Sequence, residues 1–235
     1  MRLPPLHRGT LLRRYKRFLA DVAFDDGHEE TVHCANPGSM MGLATPGLTV
    51  WTSRSDAKAR KLPHTLELVE VPGETGVAAV GVNTMLPNRL VAEALAAGLI
   101  PELAGYEQVR AEVKYGEKSR VDFLLQSPND LARPDAWVEV KSVTLSRQAG
   151  LAEWPDSVSS RSVQHLKELT ARIALGDRAV LLFVVQRNDC NRFAPAADLD
   201  PAFASALDRA KAAGLEALVY ACKVAPDEIV ISHSL

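Results

Sequence analysis

Two charged residues lie two positions apart in a stretch that otherwise resembles a β-strand. The segment WVEVKSVTL is rich in β-branched and aromatic residues, and it contains Glu139 and Lys141. Residues i and i+2 of a strand point to the same side, so these two side chains are neighbours on one face. Taken alone, such a pair is typical of a solvated strand face and stabilises little.

A third charged residue, Asp122, interrupts another predicted strand, SRVDFLLQ. If the two strands form an antiparallel hairpin with Gln126 opposite Trp137, Asp122 lies opposite Lys141 and diagonal to Glu139. A shift of two residues would place Asp122 opposite Glu139 instead. Both registers bring the three charges together, whereas a shift of one residue would separate them.

Asp122 and Glu139 repel each other on one face unless positive charge compensates them, and Lys141 alone does not neutralise both. Carboxylate oxygens suit Mg²⁺ or Mn²⁺, which keep water on their remaining positions and accept phosphate oxygens from a substrate. Such a site supports phosphodiester hydrolysis. We therefore predict that Asp122 and Glu139 bind Mg²⁺ or Mn²⁺ and that Lys141 orients the attacking water.

A fourth candidate catalytic residue is Glu93, in the predicted helix PNRLVAEALAAGLI. Leu86, Leu90, Glu93 and Ala97 recur at helical spacing, which places Glu93 on or beside the buried stripe of that helix. It could assist the metal or the water, or it could be a glutamate at the edge of the surface. Glu112, on the next predicted strand, is more typical of a solvated residue.

Length and composition indicate a soluble protein. The chain has 235 residues, 47% hydrophobic and 24% charged, and no run of about 18 apolar residues offers a membrane span. The N-terminal segment lacks the apolar region of a secretory signal. Cys34, Cys190 and Cys222 are too few and too widely spaced for a disulfide framework or a Cys-based zinc site. We expect a cytoplasmic protein without membrane association.

The distribution of turns and periodic segments predicts two domains. Residues 1–81 are predicted to be all-β, with strands YKRFLADVAF, TVHCA, LTVWTS and TLELVEV separated by turns at DDGHE, NPGS and PGET, as in a small OB-like barrel or sandwich. The stretch HCANPGSM is interpreted as a turn without a chemical role. Residues 82–235 run helix, three strands, helix, strand, and continue with a further helix and strand, which predicts a mixed α/β sheet with an αβββαβ core.

Basic residues concentrate near the N-terminus although the net charge is −2. Arg13, Arg14, Lys16 and Arg17 precede the first acidic residue, Asp21, and are candidates for nucleic-acid contacts. The alternative is a solvated surface. A second basic group comprises Arg54, Lys58, Arg60 and Lys61.

The spacing of Asp122, Glu139 and Lys141 within an αβββαβ order resembles the PD-(D/E)-x-K nuclease superfamily, with Glu93 at the place of the helix acid. Over nearly its whole length the chain also resembles the bacterial sugar fermentation stimulation protein family. The segments that carry this resemblance are, in order, LLRRYKRFLADV, HCANPGSM, VNTMLPNRLVAEAL, EVKYGEKSRVDFLL, WVEVKSVTL, WPDSVSSRSVQHLKEL and GLEALVYACKV.

The resemblance implies an OB-like domain joined to a nuclease-like domain, with DNA binding linked to the regulation of sugar utilisation, notably maltose. An OB-like barrel beside a phosphate-handling sheet needs a positive track, which favours a role for the first basic group. The function classes that remain open are a DNA-binding factor with little sequence preference, a Mg²⁺- or Mn²⁺-dependent nuclease for DNA or RNA, and a scaffold with a relic site. His165 is a helper base, a DNA contact or, most commonly for a lone helical histidine, a structural residue.

Overall fold

A computed structural model describes residues 1–73, 76–115 and 119–235 of the chain. Its first six strands are β1 (Leu6–Tyr15), β2 (Leu19–Phe24), β3 (Glu29–Cys34), β4 (Thr49–Arg54), β5 (His64–Gly73) and β6 (Gly76–Gly81). β1 pairs with both β2 and β4, and β3 pairs in parallel with β5, which closes β1–β5 into a barrel. β6 extends the sheet beyond β5. The predicted five-stranded OB-like barrel is therefore confirmed.

Every second side chain of a barrel strand points into the core, as in β2, where Ala20, Val22 and Phe24 are buried. The segment YKRFLADVAF, predicted as one strand, is instead the end of β1, a turn, and β2. Lys16 and Arg17 have φ angles of 49° and 63°, and this left-handed backbone breaks the strand. The predicted turn PGET lies partly at residues 74–75, outside the described residues.

The described residues of the second part form three α-helices, α1 (Pro87–Ala96), α2 (Ser160–Ala174) and α3 (Pro201–Ala212), and a short 3₁₀ helix, Pro101–Leu103. Its strands are β7 (Gln108–Lys114), β8 (Arg120–Gln126), β9 (Ala136–Val143), β10 (Leu145–Gln148), β11 (Gly150–Trp154), β12 (Arg178–Val185), β13 (Cys190–Pro195), β14 (Glu216–Val224) and β15 (Ile229–Ser234). Six of these strands form a mixed sheet in the order β15-β14-β12-β9-β8-β7. The predicted α/β class is confirmed.

Helices cover both faces of this mixed sheet. On one face, Leu90 of α1 belongs to a core cluster that includes Val138 of β9. On the other face, Leu166 of α2 and Phe203 of α3 belong to a cluster that includes Trp137 of β9. β9 is paired antiparallel with β8 and parallel with β12, so it is shielded on both faces and along both edges.

The second part differs from the sequence prediction in several features, among them the strands β13 and β15, which the sequence did not predict. β10, β11 and β13 form an additional three-stranded sheet, and the predicted strand WVEVKSVTL ends at Val143, with Leu145 opening β10. Residues 1–3, assigned to the barrel by sequence, run instead beside residues 227–229 of the second part, with reciprocal backbone hydrogen bonds between Met1 and Ile229.

Residues 116–118 of the segment EVKYGEKSRVDFLL lie outside the described residues. None of the described helices combines the length and apolarity that crossing a bilayer requires.

Candidate functional site

Glu139 and Lys141 lie on the central strand β9 and are only 3% and 9% exposed. Nζ of Lys141 donates to Oε1 of Glu139 at 2.7 Å. The pair is therefore not part of a solvated strand face, which was the alternative from sequence. Burying two charged groups is costly, and proteins seldom keep such a pair on a central strand without a function.

Asp122 reaches the same group from β8. The ladder pairs Phe123 with Val138 and Leu124 with Trp137, so its continuation sets Asp122 opposite Glu139, the register shifted by two residues. Its carboxylate is held on both oxygens, because the backbone N–H of Val140 donates to Oδ2 at 2.7 Å and Nδ2 of Asn88 donates to Oδ1 at 2.7 Å.

The two carboxyl groups have opposite pKa shifts. Burial and the charge of Glu139 raise the pKa of Asp122 to about 6, against the hydrogen bonds from Val140 and Asn88. Burial also acts to raise the pKa of Glu139, but the hydrogen bond from His165 and the charge of Lys141 hold that pKa below its usual value. As the pH rises, Glu139 therefore loses its proton first, and Asp122 loses its proton only near pH 6.

His165, on α2, joins this buried group. Its Nδ1 contacts Oε1 of Glu139 and lies 3.3 Å from Nζ of Lys141, while Nε of Arg161 donates to its Nε2 at 3.2 Å. Because Nε2 accepts from Arg161, the ring proton is assigned to Nδ1, which then donates to Glu139. His165 therefore orients Glu139, and Arg161, one turn earlier on the helix, fixes the tautomer.

One oxygen of this group has no partner. Oε2 of Glu139 is buried and accepts no hydrogen bond from any described residue. A buried carboxylate oxygen without a donor is unfavourable, and a cation beside it would remove that cost. The ranges described hold no cluster of three or more His, Cys, Asp or Glu side chains arranged for a metal ion. The donor set is two carboxylates, which is the number that Mg²⁺ commonly takes from a protein.

Glu93 is not brought to this group. Its carboxylate lies 2.9 Å from the N-terminal amine of Met1, and its side chain is 56% exposed. The α1 residue that contacts Asp122 is Asn88, near the start of the helix. Glu112 is exposed on β7, with a φ angle of 55°.

The four basic candidates have different environments. Nε of Arg13 donates to Asp21 at 2.6 Å, and the guanidinium of Arg14 donates to backbone carbonyls of the barrel. Lys16 and Arg17 are exposed in the β1–β2 turn. The second basic group lies at the end of β4 and in the β4–β5 connection. This is the opposite end of β1, because Leu6 pairs with Ser53.

A cavity of about 340 Å³ lies between the barrel and Lys141. Asn36, Pro37 and Gly38 line it from the barrel side, and Lys141 and Trp154 line it from the second part. The turn HCANPGSM, to which sequence assigned no chemistry, therefore forms one wall of the cavity beside Lys141. A volume of this size lies within the range of small-ligand sites.

Sequence reasoning missed Asn88 and the wall formed by residues 36–38, and it favoured a structural role for His165. One available signal was the four-residue spacing of Arg161 and His165, which places both on one helix face. Asn88 directly follows Pro87 at the helix start, where side chains face the preceding elements, but spacing alone does not identify its neighbour. Contact between the barrel turn and β9 crosses about 100 residues of sequence, and no local pattern predicts it.

The fold and the site define a class of protein in which an OB barrel precedes a mixed α/β domain carrying a buried D…E-x-K group. Two family models match: the SfsA N-terminal OB domain over residues 12–79, and the sugar fermentation stimulation protein RE domain over residues 85–228. The chain belongs to the sugar fermentation stimulation protein family.

Alignments with similar proteins cover the whole chain. A sugar fermentation stimulation protein homolog of Rhodospirillum centenum is 56% identical over 236 aligned residues, covering 100% of this chain and 98% of that one. The homolog of Caulobacter vibrioides is 52% identical, covering 100% and 96%. The structure of Pyrococcus furiosus SfsA in complex with Ca²⁺ matches with a TM-score of 0.87 and 27% identity, covering 100% of this chain and 96% of that chain.

Proposed function

We propose that this protein binds nucleic acid, principally DNA, and hydrolyses its phosphodiester bonds with Mg²⁺ or Mn²⁺ bound by Asp122 and Glu139. The observation that carries the proposal is the buried Oε2 of Glu139, which accepts no hydrogen bond from the described part of the chain and lies beside a second carboxylate and an ammonium. The solved Pyrococcus furiosus relative is a complex with Ca²⁺, and a divalent-cation site in this chain is consistent with that likeness.

The residues of the site divide the chemistry among them. Asp122 and Glu139 would hold the cation, which when bound would supply positive charge to the phosphate as negative charge develops on it. Lys141 positions the attacking water and shares the charge of the phosphate. His165 keeps Glu139 in its orientation, and the hydrogen bonds from Asn88 and Val140 keep Asp122 in place. Glu93, which lies against Met1, has no part in the mechanism.

Binding needs positive charge outside the carboxylate site, and the exposed Lys16 and Arg17 supply it. We propose that binding has little sequence preference. The two basic side chains of the barrel turn can contact phosphates, but they do not form a set of hydrogen bonds to base edges that would read a sequence. A protein that binds chromosomal DNA in bacteria acts in the cytoplasm, the location that the sequence predicts. The relatives are named for sugar fermentation. We propose that this protein affects that process by binding DNA or RNA.

Incubation of the purified full chain with end-labelled single-stranded DNA, duplex DNA and RNA, each with Mg²⁺, Mn²⁺ or EDTA, tests the proposal. We expect cleavage that requires the metal and falls by at least about 100-fold in Glu139→Gln and Lys141→Ala. The matched control is Glu67→Gln, because Glu67 is also a buried, hydrogen-bonded carboxylate but lies in the barrel. Equal cleavage by the wild type and Glu139→Gln would show that the activity does not arise at this site.

A further inference from the structure

An aromatic side chain is exposed on the β1–β2 turn of the barrel. Phe18 is 48% exposed and lies outside the barrel core. Its backbone is fixed, because its N–H donates to the carbonyl of Lys16 at 2.7 Å and its carbonyl accepts from the N–H of Cys34 at 2.8 Å. A turn held by backbone hydrogen bonds thus presents an aromatic ring to solvent.

The same turn carries positive charge. Lys16 and Arg17 precede Phe18, both are exposed, and neither forms an ion pair with any residue that the structure describes. Arg13, by contrast, is bonded to Asp21. An exposed ring flanked by two cations is the combination that binds the base and the phosphates of one nucleotide segment.

Arg14 connects this turn to the cavity beside Lys141. Its guanidinium donates to the carbonyls of Arg17 at 3.0 Å, Asn36 at 2.8 Å and Gly38 at 2.8 Å. Residues 36–38 form the barrel-side wall of the cavity that Lys141 also lines. Arg14 therefore joins the turn to the wall, and the wall borders the cavity that Lys141 lines.

We propose that residues 16–18 and 36–38 form the entry surface for single-stranded nucleic acid, with a base stacked on Phe18 and the adjoining phosphates on Lys16 and Arg17. This inference rests on the proposed function and specifies its substrate as an unpaired strand. In a duplex both faces of each base are covered by its neighbours, so an aromatic side chain stacks only where a base is unstacked. The cavity then receives the nucleotides that follow toward Lys141.

Fluorescence anisotropy of the full chain in EDTA tests this surface without cleavage, using a labelled oligo(dT) of about 15 nucleotides and a duplex of equal length. We expect tighter binding of the single strand. Phe18→Ser should weaken that binding by roughly 5- to 100-fold, the range for loss of one base–aromatic stack. It should leave the salt dependence unchanged, because no charge is removed, whereas Arg17→Ala should make the salt dependence less steep.

Leu131→Ser is the matched control, because Leu131 is 95% exposed in the β8–β9 connection and lies outside the entry surface. Phe18→Trp should restore binding, since an indole also stacks. Equal loss in Phe18→Ser and Leu131→Ser, or tighter binding of the duplex, would overturn the proposal. Failure of metal-dependent cleavage with intact, Phe18-dependent binding would instead count against hydrolysis alone, so the two proposals fail separately.

Discussion

Lys141 donates to Glu139 at 2.7 Å on the central strand of the mixed sheet, with both side chains almost fully buried. Removing two charges from water usually costs as much as their attraction returns, so such a pair contributes little net stability. Apolar residues would serve the core of β9 at least as well. The pair is better explained by the chemistry of the site than by the stability of the fold.

The first prediction concerns this ion pair. Lys141→Met should lower the free energy of unfolding by about 3–5 kcal/mol at pH 7, because it leaves the carboxylate of Glu139 buried without its ammonium. The double variant Glu139→Gln with Lys141→Met should recover most of the loss, since neither charge is then stranded. Urea unfolding curves measure both values.

An exposed ion pair provides the comparison for that experiment. Arg8 and Asp25 lie 3.4 Å apart with side chains more than half exposed, and Arg8→Met should change stability by less than about 1 kcal/mol. If Lys141→Met proves as mild as Arg8→Met, Glu139 is not held as a buried anion.

The second prediction follows from the pKa of Asp122, which is raised to about 6 by burial and by Glu139. The metal-free folded state holds this proton more tightly than the unfolded chain, so the contribution of Asp122 to stability is full below about pH 4 and is lost as the pH rises through about 6. Asp122→Asn should therefore stabilise the metal-free protein at pH 8, by up to about 3 kcal/mol, and have little effect at pH 4.

Mn²⁺ binding gives an independent measurement for Asp122. The proton competes with the metal, so wild-type affinity for Mn²⁺ should rise with pH until about pH 6 and then level off. Asp122→Asn should bind Mn²⁺ weakly at every pH by calorimetry. A wild-type affinity that is constant between pH 5 and 7 would contradict the raised pKa.

Much of the fold was predictable because its longer elements have clear periodicity. The helices α1, α2 and α3 and the apolar strand β12 were predicted from spacing and composition, and the alternation in β9 placed Glu139 and Lys141 on one face. The three-stranded sheet was missed because β10 is short and polar, LSRQ, and β13 pairs with β11 about 40 residues earlier in the chain. Pairing over that distance leaves no local signal.

The sequence predicted which strand or helix face each candidate residue occupies, but not which residues it contacts. A nine-residue connection between β8 and β9 does not fix register, so Asp122 had two acceptable positions opposite β9. Helical spacing located a polar edge on α1, yet both Asn88 and Glu93 lie on such edges. Which of them contacts Asp122 depends on the tilt of α1 and on the position of Met1. Met1 lies beside β15, and its amine forms an ion pair with Glu93, whereas Asn88 contacts Asp122.

The third prediction distinguishes a basic residue that stabilises the fold, Arg14, from one that binds nucleic acid, Lys16. The structure gives Arg14 a role that sequence did not, since its guanidinium donates to the carbonyls of Arg17, Asn36, Gly38 and Ser39. Arg14→Ala should lower the free energy of unfolding by about 2–4 kcal/mol, because these carbonyls lose charged donors. Lys16→Ala should change it by less than about 0.5 kcal/mol and reduce only nucleic-acid affinity.

Thermal unfolding and anisotropy on the same two variants make this comparison. Arg14→Lys is the conservative control, because an ammonium keeps the charge but not the planar fork that reaches several carbonyls. It should recover only part of the stability that Arg14→Ala loses. Equal stability of Arg14→Ala and Lys16→Ala would show that Arg14 does not hold the wall of the cavity.

The fourth prediction concerns the contact between Gly38 and Asp156, which joins the wall to the second part. A Cβ at position 38 would lie 2.5 Å from Oδ2 of Asp156, an oxygen that accepts from Ser39 Oγ at 3.2 Å and from Met40 N–H at 3.1 Å. Gly38→Ala should therefore displace the carboxylate, break these hydrogen bonds and cost about 1–3 kcal/mol. Asp156→Ala removes the same hydrogen bonds directly.

Since both changes act on one contact, the double variant should cost less than the sum of the single variants, with a coupling of at least about 0.5 kcal/mol in urea unfolding. Strictly additive costs would mean that the wall and the carboxylate are held independently, and the cavity beside Lys141 would then not depend on this contact.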